Sequence, residues 1–197
     1  MPKQSPAQIR IQETLLNALQ TKNINQVTVS QLCAEAKCAR STFYLYYDSV
    51  YAVLQEIEDE YLEEFSSRLP TIATSTIPQS TWVANVKFNK SNSKTLKALS
   101  ANDPSFQKKR SRILEEAFFR FAGYPADSPV YKFALAIITG ATHGITQAVS
   151  NYDQSLSTEE MLPILNIFQE WILSAFVTVV RDVNLEKSPN STGNESL

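Results

Sequence analysis

The sequence predicts an all-α protein, with a small three-helix unit at its N-terminal end and a larger helical bundle behind it. Three observations lead there. Apolar residues recur at three- and four-residue spacing along most of the 197 residues, the repeat of a helix with one buried face. No run alternates as a half-buried strand does, and no internal repeat is present. Ser and Thr stand just ahead of the early apolar stretches with Gln three positions on, the signature of a helix start.

Ser5-Pro6-Ala7-Gln8 opens the first helix. Ser5 caps it, Pro6 suits its first turn and Gln8 closes a capping box. Ile11, Leu15, Ala18 and Leu19 carry its buried face to about Gln20. Thr28-Val29-Ser30-Gln31 repeats the cap and opens a second helix, with Leu32, Cys33 and Ala36 inward. A turn follows at Lys37-Cys38. The third helix runs from about Arg40 to Tyr46, with Phe43 and Tyr47, four apart, on its buried side. Asp48 is placed to cap a fourth helix. Its apolar stripe is Tyr51, Leu54, Ile57/Glu58, Tyr61, Leu62 and Phe65, and its acids face water. Residues 69–78, rich in Pro, Thr and Ser, read as a linker. Residues 79–102 form a weaker helical region broken at Asn89-Lys90-Ser91-Asn92-Ser93, and Pro104 starts a helix to about Ala122. After a loop at 123–129 come two long helices, about 129–151 and 158–183, and the polar residues 184–197 read as a disordered tail. The division is a head at 5–50, a body at 51–183 and the tail at 184–197.

The apolar share of 43% supplies a real core. Net charge is −2, but its distribution is uneven. Residues 1–47 hold five basic side chains (Lys3, Arg10, Lys22, Lys37, Arg40) against Glu13 and Glu35. Residues 48–64 hold seven acids and no base. A mildly basic head on an acidic body fits a nucleic-acid-binding unit joined to something else. With Gly at 123, 140, 144 and 193 only, a Gly-rich phosphate loop has no material. No apolar run approaches the ~20 residues that span a bilayer. Met1-Pro2-Lys3-Gln4-Ser5 lacks the apolar stretch of a signal peptide, so the expected location is the cytoplasm, with no membrane partner. Cys33 and Cys38 are then reduced thiols, Cys33 in the core and Cys38 open to a redox role. Two Cys and one His do not make a metal site unaided. The paired acids Glu63/Glu64, Glu115/Glu116 and Glu159/Glu160 are adjacent and so point apart on a helix. No catalytic residue and no cofactor are expected, and the chain does not read as an enzyme.

Residues 28–47 thus read as helix, tight turn and second short helix, a device for placing one helix in the DNA major groove. The segment from Ile9 to Leu54 resembles the DNA-binding domain of the TetR family of bacterial repressors. The match rests on the amphipathic first helix, Thr28-Val29, Ala36 before the turn, and Thr42-Phe43-Tyr44-Leu45-Tyr46-Tyr47. The resemblance implies a ligand-responsive transcriptional repressor, a homodimer on a pseudo-palindromic double-stranded operator, with a small-molecule effector in the C-terminal bundle. By position, Arg40, Ser41, Thr42, Tyr44 and Tyr46 would face DNA, and Thr28 and Ser30 would lie at a helix N-terminus beside phosphate. The chemistry of these residues agrees. Hydroxyls bond phosphate oxygens and set register, Arg40 suits bidentate contact with guanine, and helical spacing turns Tyr44 and Tyr46 away from Phe43 and Tyr47. Lys37 stands where the family usually has Gly, Ala39 where it often has Ser, and Val50 where a phosphate-gripping Lys is usual. These departures leave open a second reading, a TetR-like co-regulator that binds another protein or a metabolite and has lost independent DNA binding.

In the body, Trp82, Phe106, Phe118, Phe121, Tyr124, Phe133 and His143 are candidates to line an apolar ligand pocket, with ordinary core as the alternative for the aromatics and a structural or exposed place as the alternative for His143. Ile137, Gly140, Gly144, Leu165, Phe168, Ile172 and Phe176 are candidates for a dimer interface, since small residues four apart let another helix approach closely, with closure of the subunit's own core as the alternative. The resemblance places that interface in the last two helices. A second basic stretch, Lys87, Lys90, Lys94, Lys97, Lys108, Lys109, Arg110 and Arg112, is opposed within it only by Asp103 and reads as a solvated face, with an anionic ligand or acidic partner as the alternative.

Overall fold

A computed structural model describes residues 4–69, 84, 87–122, 129–152 and 155–167, the side chains at 117–122, 130, 134, 138 and 150 lying outside that description. Among the described residues there is no strand. The named helices are α1 (Pro6–Ala18), α2 (Val29–Glu35), α3 (Arg40–Tyr46), α4 (Val50–Arg68), α5 (Ser93–Asn102), α6 (Phe106–Ala122) and α7 (Pro129–Tyr152), with a 3₁₀ turn at Ile24–Gln26. Residues 87–91 and 158–167 are also helical. None of the helices among the described residues is long and apolar enough to cross a membrane.

Local hydrogen bonding sets the helix starts. Ser5 Oγ accepts from the Gln8 N–H at 3.2 Å, and Gln8 Oε1 accepts from the Ser5 N–H at 3.0 Å. Thr28 and Gln31 form the same reciprocal box, at 3.3 and 3.2 Å. Each cap is worth about 1 kcal/mol. Helix α1 stops at Ala18, short of Gln20, and its last carbonyls take the N–H groups of Gln20, Thr21 and Lys22 in a turn. The cap of α4 is Ser49, not Asp48: Ser49 Oγ accepts from the Ala52 N–H at 3.2 Å. Tyr47 is drawn into the core in an extended conformation (φ −138°, ψ 134°), and the chain needs both following residues to turn. The break expected at 89–93 narrows to Asn92. Helix α6 starts at Phe106, after Asp103 Oδ1 accepts from the Ser105 N–H at 2.8 Å, an Asx turn that Pro104 favours.

One continuous core joins these elements. Ile11 and Leu15 of α1, Leu32 of α2, Phe43 of α3 and Val53 of α4 are sealed in it. It continues through Tyr61, Phe65 and Phe88 to Leu99 and Phe106. Tyr61 stacks on Phe65 (6.1 Å between centroids) and Phe88 (5.4 Å). Of the expected α4 stripe, Tyr51 is corrected, while Glu58 lies on it as its spacing implied. Tyr51 is 52% exposed and bonds the Asn25 side chain across the surface. Glu58 does not face water but is 3% exposed, because Lys109 reaches it from α6 (2.5 Å). A smaller cluster packs Val149 of α7 on Met161 and Leu165.

The basic stretch is not a uniform solvated face. Lys109 pairs with Glu58 and Asp103, Lys90 donates to the Leu156 carbonyl at 2.6 Å, and Arg110 is buried.

Candidate nucleic-acid interface

The turn between α2 and α3 is built by two backbone bonds. The Cys38 N–H reaches the Cys33 carbonyl at 3.0 Å and the Lys37 N–H reaches that of Ala34 at 3.3 Å. This is a Schellman closure, which requires a left-handed residue after the helix. Lys37 takes that conformation with φ 51°, alone among the described non-Gly residues. Its Cβ makes the turn cost about 1–2 kcal/mol more than Gly would. Helix α3 then begins at Arg40, its N-cap Ala39 offering no side-chain cap.

Periodicity sorts α3 into two faces. Phe43 is fully buried and Tyr47 nearly so. The Tyr47 hydroxyl donates to the Glu56 carboxylate, and burial followed by that bond pushes the phenol well above its ordinary range. The opposite face is open, with Arg40 and Ser41 exposed, Tyr44 57% exposed, Tyr46 exposed and Thr42 half-buried. The Tyr44 ring stands edge-on to Phe43 at 5.5 Å and 90°, so the core braces an outward-facing tyrosine. Leu45, at 73% exposed, shares this face. Sequence reasoning passed it over as apolar, though it lies four residues from Ser41 on the outer side.

Not every hydroxyl is free. Thr28 is exposed, but its Oγ1 caps α2 and lies 3.0 Å from Gln31 Oε1. Ser30 Oγ accepts from Arg40 Nη2 at 2.7 Å. Val50 is buried, so this position serves the core. Cys33 is buried and Cys38 half-buried. Burial, then contact with Cys38, pushes the Cys33 thiol up.

The body departs from the expected pocket. Phe106 is sealed in the core, 5.6 Å from Tyr61 between ring centroids. Phe133 is 70% exposed. His143 is exposed and bonds Gln107 Oε1 at 3.1 Å. Trp82 and Tyr124, and the side chains of Phe118 and Phe121, lie outside the described residues. A cleft of about 270 Å³ does open between α5, α6 and α7, lined by Leu96, Lys97, Ser100, Ala101, Gln107, Thr146 and Gln147. Of the expected interface residues, Leu165 is instead buried within the chain against Val149 and Met161, because the 158–167 helix folds back on α7. Ile137, Gly140 and Gly144 are exposed, and a Cβ at either glycine would meet open space. Phe168, Ile172 and Phe176 lie outside the described residues.

No family model matches the chain. A 69-residue stretch, 35% of the chain, is 28% identical to YxbF of Bacillus subtilis, an uncharacterized HTH-type transcriptional regulator, and spans 18% of that protein. The fold is similar to the solved structure of the dihydroxyacetone kinase operon activator DhaS (TM-score 0.55, 16% identity, 89% of this chain and 97% of that one). It is also similar to the fatty acid degradation regulator FadR from Bacillus halodurans (TM-score 0.58, 14% identity, 87% and 96%). These likenesses establish the fold, a helical chain with an N-terminal helix-turn-helix unit and a helical C-terminal part.

Proposed function

We propose that this protein is a DNA-binding transcriptional regulator of the TetR type, a cytoplasmic homodimer that represses from a pseudo-palindromic operator and is released by a small-molecule effector. One observation carries the reading. Helix α3 buries Phe43 and Tyr47 and leaves Arg40, Ser41, Tyr44 and Tyr46 on an open face. A helix with its side chains is about 10–12 Å across, which fits a major groove about 12 Å wide. Arg40 reads a base edge, and Thr28, Ser30, Ser41, Thr42, Tyr44 and Tyr46 set register on phosphates. The local likeness to an HTH-type transcriptional regulator supports the same class. The open face of α7 at Ile137, Gly140 and Gly144 supports the homodimer. A mobility-shift assay with DNA from upstream of its own gene tests the proposal. The expected result is a retained fragment with two protected half-sites about one helical turn or more apart; no retention at low salt sinks it.

Lys37, Ala39 and Val50 favour a second reading. The turn is strained, α3 is uncapped and the phosphate-gripping position is buried, as in a co-regulator that reaches DNA only through another protein. Specific capture of a second regulator, with no DNA retained by the purified chain, selects that reading.

A further inference from the structure

Arg110 of α6 is 3% exposed. Its Nη2 donates to Thr146 Oγ1 at 2.5 Å and its guanidinium carbon lies 4.8 Å from the centroid of Phe65. Its Nε is buried without a partner, and so is the Tyr61 hydroxyl, which lies close enough to feel the Arg110 charge. No carboxylate pairs with Arg110 among the described residues. Glu58 and Asp103 are engaged by Lys109, and Glu64, whose charge also reaches the Tyr61 hydroxyl, is engaged by Arg68. The contrast within α6 is informative: Lys109, roughly half in water, has two carboxylates, and Arg110, out of water, has none among the described residues. A buried cation without a counter-charge is strongly disfavoured, and burial accordingly weakens its hold on its proton.

We infer that Arg110 and Tyr61 form a binding site for a monocarboxylate with a short hydrocarbon body. The guanidinium fork and the phenol hydroxyl are donors suited to two carboxylate oxygens. One negative charge neutralises one guanidinium, whereas a phosphate dianion would leave net charge in an aromatic surround made by Phe65, Phe88 and Phe106. Thr146 supplies the way in. Its hydroxyl accepts from Arg110 while its side of α7 lines the cleft of about 270 Å³. An acid lodged in the cleft reaches the guanidinium by displacing that hydroxyl, which keeps its bond to the Thr142 carbonyl at 2.8 Å. The site deepens the effector part of the proposed function and rests on that reading only for its consequence at DNA.

The test is thermal melting of the full chain, free of DNA, with hexanoate, hexan-1-ol or inorganic phosphate at about 10 mM. Hexanoate is expected to raise Tm by about 3 °C or more, with no comparable rise from the alcohol or from phosphate. Tyr61→Phe keeps the ring and removes the donor, and Arg110→Met keeps the length and removes the charge; both are expected to lose the response. The inference is overturned if hexanoate gives no rise in the wild type, if hexan-1-ol or phosphate matches it, or if Tyr61→Phe responds in full. A chain that binds hexanoate but no DNA keeps this site and loses the regulator reading; one that binds DNA without a hexanoate response does the reverse.

Discussion

Arg40 Nη2 rests on Ser30 Oγ at 2.7 Å, tying the first turn of α3 to the first turn of α2. The side chain best suited to read a base is therefore held across the outer face rather than free in solvent. A bidentate contact with guanine exchanges this bond for two on the base, a contact worth about 1–3 kcal/mol of discrimination. Arg40→Ala is expected to weaken operator binding by roughly ten- to hundred-fold, with an unchanged circular dichroism spectrum. Loss of helicity in this variant would mean that the residue holds the fold instead.

Phe43 and Tyr44 are neighbours with opposite duties, and truncating each separates them. Phe43→Ala removes a fully buried ring and is expected to cost about 3–5 kcal/mol, read as a large fall in Tm. Tyr44→Ala is expected to leave Tm nearly unchanged and to reduce DNA retention. A Tm loss of similar size for both would place Tyr44 in the core.

The strain at Lys37 predicts a gain. Lys37→Gly relieves a left-handed non-Gly residue and is expected to stabilise the protein by about 1 kcal/mol, raising Tm by about 2–4 °C. Should the same variant also bind DNA more tightly, the strained turn limits affinity; a fall in Tm would show that the Lys side chain makes compensating contacts.

Glu58 predicts a pH dependence. Burial first, then its bond with Asp103, raises its carboxyl above the ordinary 4.5, with Lys109 opposing. Burial resists ionisation of Asp103 too, but bonds with Glu58, Ser105 and Lys109 outweigh it and hold that carboxyl well below the usual range. The folded state thus keeps the Glu58 proton more tightly than the unfolded chain. Its contribution is complete below about pH 4.5 and is lost as pH rises through the raised value. The contribution of Asp103 fails only at more acidic pH, below that window. Glu58→Gln has no proton to lose there, so its Tm relative to wild type is expected to climb as pH rises above about 4.5. A difference independent of pH would show that folding leaves the Glu58 carboxyl at its ordinary value.

The exposed face of α7 predicts assembly. Ile137→Glu places a charge beside Gly140 and Gly144, where a Cβ would meet only open space, so it is not expected to unfold the subunit. Sedimentation is expected to show a shift from dimer to monomer. A dimer that survives unchanged would move the interface elsewhere.

How much was legible in the residues follows from the range of the forces involved. The starts of α1 and α2 were readable because Ser5–Gln8 and Thr28–Gln31 satisfy one another within a single turn. The two faces of α3 were readable because Phe43 and Tyr47 repeat at the helical period. Leu45 was on that outer face all along, but polarity was the wrong guide to it. Long-range desolvation was not readable. Spacing put Glu58 on the buried stripe, but its partner Lys109, fifty-one residues on, could not be read from it. Ser49 rather than Asp48 caps α4 because Tyr47 was pulled inward first, and Leu165 faces Val149 because the 158–167 helix turned back on α7. Arg110 looked like one more solvated cation in a basic run. Only the packing of α4 and α7 around it removed its water and left it without a counter-charge among the described residues, since a charge's environment is set by which helices meet and not by its neighbours along the chain.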